Sequence, residues 1–329
     1  MSKSGFKLES ANNSPDWDLV VAKSPQGTLF SERAFLAASG AAHHLYFVKQ
    51  GDEIKAGVAL VVSPDGKKCE LNDLIIYGGF FFNLSQQAES AKKTHDEFIM
   101  TEFIVNELSK NYQIIEFQTA PLKFDLRPFL WFNYHENSKA KYILNLRYTS
   151  ILSLKKFQNF IGKEQQSPCF MSMDTLRRRH VRDGEKKGGR VENGSDAKIL
   201  TSYYCEMMAR QKLPQNESKI HAMEKIISLL LNSNRGLLLH VHNKQNQIVY
   251  CIFYAWDNKR AYYLFGAGNP AISEPWQGSF AHWQAFIKLC TNNIFEVDLE
   301  GINSPNRGWF KVGLGGSITP YYHLKYSLT

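Results

Sequence analysis

Hydrophobic and polar positions follow two periods along this chain, and their alternation predicts the same succession of elements twice. Ser31 to Ser39, after the turn-like Ser24-Pro25-Gln26-Gly27, reads as a short helix. Three strand-like runs follow, His44 to Lys49, Ile54 to Val62 and Lys68 to Tyr77. Gly51-Asp52 and Pro64-Asp65-Gly66 supply the turns of a hairpin meander. From Glu89 to Ser109 the pattern becomes helical, with Ile99 and Phe103, then Ile104 and Leu108, one turn apart. Gln113 to Phe117 is a short apolar strand that closes the unit.

The second half replays this order. Asp196 to Gln211 and Glu217 to Asn232 read as helices; Ile220, Met223, Ile227 and Leu230 mark the apolar stripe of the latter. Strands are expected at Leu237 to Asn243, Ile248 to Trp256 and Arg260 to Phe265, with turns at Asn243 to Asn246 and at Asp257-Asn258. A helix from Ser279 to Asn292 places Phe280, Trp283, Ile287 and Cys290 on one stripe, and Ile294 to Leu299 is the closing strand. Helix, three-strand meander, helix and strand thus recur at an offset of about 190 residues, which favours two similar α/β domains. The boundary falls near residue 146, giving domains 1–145 and 146–329. Between the repeats, Leu122 to Gly194 holds an aromatic loop (Phe124 to His135), a strand-like Tyr142 to Tyr148, and a basic segment. Ser172-Met173-Asp174 would cap that segment as a helix and Gly188-Gly189 would end it.

Size and composition agree with this picture. The chain of 329 residues holds about two domains at roughly 150 residues each. With 43% of residues hydrophobic and 13% aromatic, it can bury a sizeable core in each. A mainly disordered chain, a collagen-like one and a polytopic membrane protein are excluded. No window approaches the ~18 uninterrupted apolar residues of a membrane-spanning helix. The opening MSKSGFKLESANNS has no apolar stretch of the secretory kind, so a cytoplasmic protein is expected. Five scattered cysteines (Cys69, Cys169, Cys205, Cys251, Cys290) show no zinc-knuckle or redox spacing and read as reduced thiols.

The net charge of +8 is concentrated. From Arg177 to Arg190 there are seven basic residues against Asp183 and Glu185, so this stretch alone carries +5. Such a distribution suggests one local anionic site and not a whole-surface nucleic-acid binder. Arg178, Arg182 and Lys186 recur every four residues and stack on one helical face, with Arg179 beside them. Guanidinium groups so placed can clamp a diphosphate with paired hydrogen bonds, although a solvated helix face has the same pattern.

Most enzyme signatures are absent: there is no GxxxxGK[ST] loop, no GxSxG elbow and no HExxH. His240 and His242 share a strand face, but no cysteine or acidic pair completes a metal set beside them, so no metal is expected. The tail of the second domain is more suggestive. Glu296 to Gly301 ends a strand on carboxylates, and Arg307 to Gly316 then places Lys311 amid glycines. Glycine admits close backbone approach to a ligand, and a lysine there can neutralise developing negative charge.

Taken in order, these segments resemble two copies of the GNAT acyltransferase fold, and more specifically the Fem family of peptidyl aminoacyltransferases and their FemAB-like relatives. The residues that carry the resemblance are Tyr77-Gly78-Gly79, Asp125-Leu126-Arg127-Pro128-Phe129 with Trp131 and Tyr134, and the arginine-rich Leu176 to Lys187. At the C-terminal end they are Asp298-Leu299-Glu300-Gly301, Trp309-Phe310-Lys311, Gly315-Gly316 and Pro320-Tyr321-Tyr322. The resemblance spans nearly the whole chain. It implies an acyl- or aminoacyl-transferase acting on an amine of a cell-envelope glycan or peptidoglycan precursor, with a nucleotide- or lipid-linked acceptor. It implies no tightly bound cofactor, and a donor that is either acyl-CoA or aminoacyl-tRNA. The chain lacks the coiled-coil arm some Fem members carry. It also lacks a clean R/Q-x-x-G-x-G/A loop, since Pro275-Trp276-Gln277-Gly278 stands there instead. The donor therefore stays open between tRNA and CoA. An acyl-CoA-dependent N-acetyltransferase for an amino sugar or small amine, and a non-catalytic binding protein of the same fold, remain alternatives.

On this reading Lys311 stabilises the reacting carbonyl and Asp298 is a base or an orienting group. Arg178, Arg179, Arg182 and Lys186 hold the acceptor's diphosphate. Tyr77, Arg127 and Trp131 are further binding residues. Pro128 is expected to keep Arg127 extended, so that Arg127, Phe129 and Trp131 share one face as a stacking wall; packing between domains would use the same rings.

Overall fold

The computed structural model describes residues 5–84, 90–122 and 124–328. These described residues fall into two compact units, one of those up to residue 147 together with 320–328 and one of residues 148–319. The last ten residues, placed in the second domain by the sequence, group with the first unit instead. The reason is that His323 to Ser327 pair with Ile114 to Gln118 of that unit.

The first unit opens with β1 (Phe6–Ser10), α1 (Trp17–Lys23) and α2 (Arg33–Ser39), then β2 (His43–Gln50), β3 (Glu53–Val61) and β4 (Gly79–Phe82). These strands form an antiparallel sheet in the order β1-β2-β3-β4. The predicted third strand, Lys68 to Tyr77, is not one. Cys69 bridges Val62 across the Pro64-Asp65-Gly66 turn, but beyond it Asn72 accepts the Leu74 amide at 2.8 Å and folds the chain into a local turn. The strand forms instead at Gly79–Phe82, four consecutive buried residues without the alternation that marks a half-exposed strand. Helix α3 (Ser90–Asn111) matches the predicted helix; Glu89, its expected first residue, lies outside the described residues. There follow β5 (Ile114–Gln118) and α4 (Arg127–Trp131). The core joins Val58, Phe80, Ile104, Leu108 and Phe117 with Leu324 and Tyr326 from the C-terminal residues.

Strand β6 (Ile143–Ser153) carries the chain from the first unit into the second. The second unit then contains α5 (Pro168–Ser172), α6 (Thr175–Lys186), β7 (Arg190–Asn193), α7 (Lys198–Arg210), α8 (Glu217–Asn232), β8 (Gly236–His242), β9 (Ile248–Trp256), β10 (Ala261–Gly268), α9 (Trp276–Thr291), β11 (Glu296–Asp298) and α10 (Pro305–Val312). Finally β12 (Ser317–Ser327) returns to the first unit, where His323 to Ser327 pair antiparallel with β5. Both repeats therefore run strand, two helices, three strands, helix, strand, short helix, strand.

The second unit's sheet has the order β6-β11-β10-β9-β8-β7. All neighbours are antiparallel except β10 and β11, which are parallel. Helix α9 lies in its core with Trp276, Phe280, Trp283 and Phe286 buried. The basic helix α6 is capped by Asp174, whose side chain accepts the Arg177 amide at 2.6 Å. It approaches α9 closely at Gly184, where a Cβ would lie 2.8 Å from ring atoms of both Phe280 and Trp276.

Candidate active site

The parallel strands β10 and β11 touch only over Ala261–Val297 and Tyr262–Asp298. Strand β11 ends there, while β10 continues to Gly268 with β9 alone along its other side. The two strands part at their carboxyl ends, the position where open α/β sheets receive ligands. Into this gap the chain places a cluster of titratable groups, all from the second unit.

Asp298 closes β11. It is fully buried, and its Oδ1 accepts the Thr149 hydroxyl at 2.5 Å and the Glu300 amide at 2.7 Å. The second bond closes a tight turn that holds Glu300 at φ 60°, a left-handed conformation uncommon for a residue with a side chain. Glu300 is itself buried, and its Oε1 has no hydrogen-bond partner among the described residues. Burial raises its proton affinity well above the ordinary carboxylate range; Lys311 acts against that shift and Asp298 adds to it.

Lys311 stands on α10. The sequence suggests a lysine among loop glycines; the structure makes it a helical residue, in a helix begun by Pro305 in its first turn. Its Nζ donates to the Gly301 carbonyl at 3.3 Å and lies 5.3 Å from the centre of the Tyr263 ring. Burial pulls its proton affinity down, and Glu300 and then Asp298 pull it back up.

The opposite wall comes from α9 and α6. His282 is fully buried beside Tyr263, Phe286 and Phe310; its Nδ1 is 2.6 Å from the Tyr254 hydroxyl, and its Nε2 has no partner among the described residues. Burial first, then the charges of Lys311 and Arg177, hold its imidazole down to about 3. Arg177 points from α6 toward the same place, donating to Ser279 Oγ at 3.3 Å and stacking 4.8 Å from the Phe310 ring centre.

A cleft of about 360 Å³ opens at the end of β10, between α7 and the start of α9, with Arg210, Tyr250, Asn269, Gln277 and Gly278 in its wall. The Tyr250 hydroxyl is hydrogen-bonded to that of Tyr263, so the cleft and the lysine share a wall. Gly266 makes room for both: a Cβ there would fall 2.4 Å from the Tyr263 hydroxyl and 3.0 Å from that of Tyr250.

Of the residues singled out from sequence, Lys311 and Asp298 are brought together here. The arginine stripe is not. Arg178 contacts Met171 and Thr175, and Arg182 bonds Gln165 at 3.2 Å over the Phe170 ring; Arg179, Arg182 and Lys186 are exposed. These side chains project from the side of α6 opposite Arg177, as the 3.6-residue period requires. In the first unit Tyr77 is an interior ring, 1% exposed, edge-on to Phe30 and Tyr321.

The aromatic loop corrects the sequence reading. Arg127 to Trp131 is a helical turn, not an extended segment, because a proline is tolerated in a helix's first turn, where its missing N–H has no partner to lose. Phe129 consequently turns into the core, 1% exposed, while Arg127 and Trp131 share a face one turn apart. The Arg127 guanidinium lies against Trp131 and Phe98, and pairs with Asp125 at 2.5 Å. Among the described residues no group of three or more His, Cys, Asp or Glu side chains is assembled for a metal.

Glu300, Arg177, Tyr263 and His282 were not singled out as site residues from the sequence. Glu300 stands inside the Asp298-Leu299-Glu300-Gly301 motif, which was the available signal. His282 lies off the stripe of Phe280, Trp283, Ile287 and Cys290, so the periodic pattern does not distinguish it from a surface histidine.

No protein-family profile and no curated protein matches the chain. Solved structures do. FemX superposes with a TM-score of 0.64 at 13% identity, covering 93% of this chain and 94% of that one. A tandem GNAT protein from the clavulanic acid biosynthesis pathway gives 0.56 at 9% identity over 98% of both chains. L-PGS from Bacillus licheniformis gives 0.53 at 11% identity, over 98% of this chain and 93% of the other. The chain has the mixed α/β tandem GNAT fold, of the kind seen in FemX.

Proposed function

We propose that this protein transfers an acyl or aminoacyl group to a primary amine of a cell-envelope glycan or peptidoglycan precursor. The observation that carries the proposal is Lys311, set where β10 and β11 part and backed by the buried carboxylate of Glu300. The likeness in fold to FemX and L-PGS supports the same reading.

Thioester and aminoacyl-ester carbonyls are already activated, so the site must chiefly align reactants and stabilise charge. The acceptor amine enters unprotonated and attacks the donor's carbonyl carbon. Negative charge grows on the carbonyl oxygen, and the Lys311 ammonium stabilises it. Collapse of the tetrahedral intermediate expels the thiolate of CoA or the ribose oxygen of tRNA, which takes up the proton shed by the amine. Asp298 orients this site by closing the turn that carries Glu300, and the hydrogen bonds it accepts from Thr149 and Glu300 suit it to that role. The donor's acyl end occupies the strand gap and its remainder follows Tyr250 into the cleft.

The test is to incubate the protein with an aminoacyl-tRNA or an acyl-CoA and a UDP-linked muropeptide or amino sugar, and to follow the acceptor's mass. A new amide on the acceptor with either donor is the expected result. Donor hydrolysis alone, or no reaction with any pair, contradicts the proposal.

A further inference from the structure

Lys311 owes its place to a helix with little core of its own. Helix α10 is eight residues long, too short to persist by its own hydrogen bonds, and of its residues Gly308 alone is buried. Its neighbours therefore decide where the lysine stands, and Arg177 of α6 is the one that touches most. Its Nη1 donates to the Ser279 hydroxyl of α9 at 3.3 Å, while its guanidinium lies 4.8 Å from the centre of the Phe310 ring of α10. Phe310 directly precedes Lys311, and its ring also meets that of His282, 5.4 Å between centres. The start of α6 and the end of α10 are joined at the same place. The Asp174 amide donates to the Gly313 carbonyl at 2.9 Å. A Cβ on Gly313 would collide with the Asp174 carboxylate and stand 3.2 Å from Arg177 Cγ, so this approach requires glycine.

We propose that Arg177 is a positioning residue for Lys311: its guanidinium fixes Phe310 on α10 and thereby holds the neighbouring ammonium where β10 and β11 part. The role serves the transfer reaction proposed above and rests on it. Arginine suits the task because its rigid plane can stack on a ring while one edge donates to a hydroxyl. A lysine ammonium, a point charge on a flexible stem, does not combine the two. A direct hold on a substrate anion fits less well, since the Arg177 side chain is only 15% exposed, with its plane on Phe310 and an edge on Ser279. The charges that act on Lys311 are those of Glu300, Asp298 and Arg307, and burial keeps its proton affinity below the usual lysine range despite the two carboxylates. Its titration therefore reports where the ammonium sits.

The experiment compares Arg177→Lys and Arg177→Met with the wild type, each checked for folding by circular dichroism melting. Arg177→Lys, the milder change, carries the test if Arg177→Met does not fold. The first measurement needs no substrate: Lys311 is titrated by NMR in protein made with isotope-labelled lysine, its signal assigned by its loss in Lys311→Arg. Both variants should move the titration up toward the ordinary lysine range, because a displaced ammonium is less buried. The second is single-turnover amide formation. It should fall on the order of ten- to 100-fold in both, the cost of a misplacement near 1 Å, with the half-saturating concentrations of donor and acceptor unchanged. An unmoved Lys311 titration in a folded variant would overturn the proposal whether or not transfer is observed. Wild-type behaviour of Arg177→Lys would overturn it too, by assigning the effect to charge. So would a change confined to half-saturating concentrations, which would make Arg177 a substrate ligand. If the wild type transfers nothing yet the variants move the titration, the hold on Lys311 stands and the transfer reaction is what fails.

Discussion

Lys311 donates to the Gly301 carbonyl, lies beside the Tyr263 ring and is influenced by the charge of the buried Glu300 carboxyl. Glu300 supports the charge on Lys311, so Glu300→Gln should let the lysine lose its proton more readily. The alkaline limb of the pH–rate profile should then move toward lower pH in that variant, whereas an unchanged limb would mean the two groups do not share charge. His282 makes a statement about stability. In the unfolded chain its imidazole takes a proton near the ordinary 6.5, but in the folded protein only near 3. Between these values the unfolded state binds more protons, so His282 stabilises the fold above the window and that contribution fades as pH falls through it. The melting-temperature gap between the wild type and His282→Phe should therefore be larger at about pH 7 than at about pH 5. A gap equal at both, or wider in acid, would show that the buried ring is not the source.

The elements owe their placement to patterns of different legibility. The α9 stripe, the β8–β9 and β9–β10 hairpins and the capped α6 follow from periodicity and turn residues, and they appear where the sequence puts them. The parting of β10 from β11 does not follow from periodicity. It depends on the three-residue length of β11, which pairs with the distant β6, and on the turn that Asp298 closes while its carboxylate also accepts the distant Thr149 hydroxyl. For the same reason, residues buried within that gap, such as His282, carry no mark in the sequence. At Lys68 to Tyr77 a local side-chain turn, and at Arg127 a first-turn proline, outweigh alternation. Gly266 tests the packing of the gap directly. Gly266→Ala would push the Tyr263 ring away from Lys311, and the overpacking should cost about 1–3 kcal/mol. A displacement near 1 Å can lower a rate by as much as ~100-fold, so transfer should fall further than stability alone explains. Full activity in this variant would detach Tyr263 from the site.

At the scale of the molecule, the chain passes from the first unit to the second within β6 and returns to the first within β12. Truncation after Thr319 removes the residues that pair with β5 and bury Leu324 and Tyr326 in the first unit's core. Hydrogen exchange should then rise in β5 and α3 while the second unit's β8, β9 and α9 keep their protection. Uniform loss of protection would instead show that the units unfold as one. Only the second unit's gap has the groups assigned here to transfer, and the central claim rests on Lys311. Its most direct test is the single-turnover rate of amide formation by Lys311→Ala at saturating donor and acceptor, with melting recorded alongside. The account predicts a loss of about 10²–10³-fold with the fold intact, as for removal of a group that stabilises a developing oxyanion. A folded Lys311→Ala protein that forms amide at the wild-type rate would contradict it.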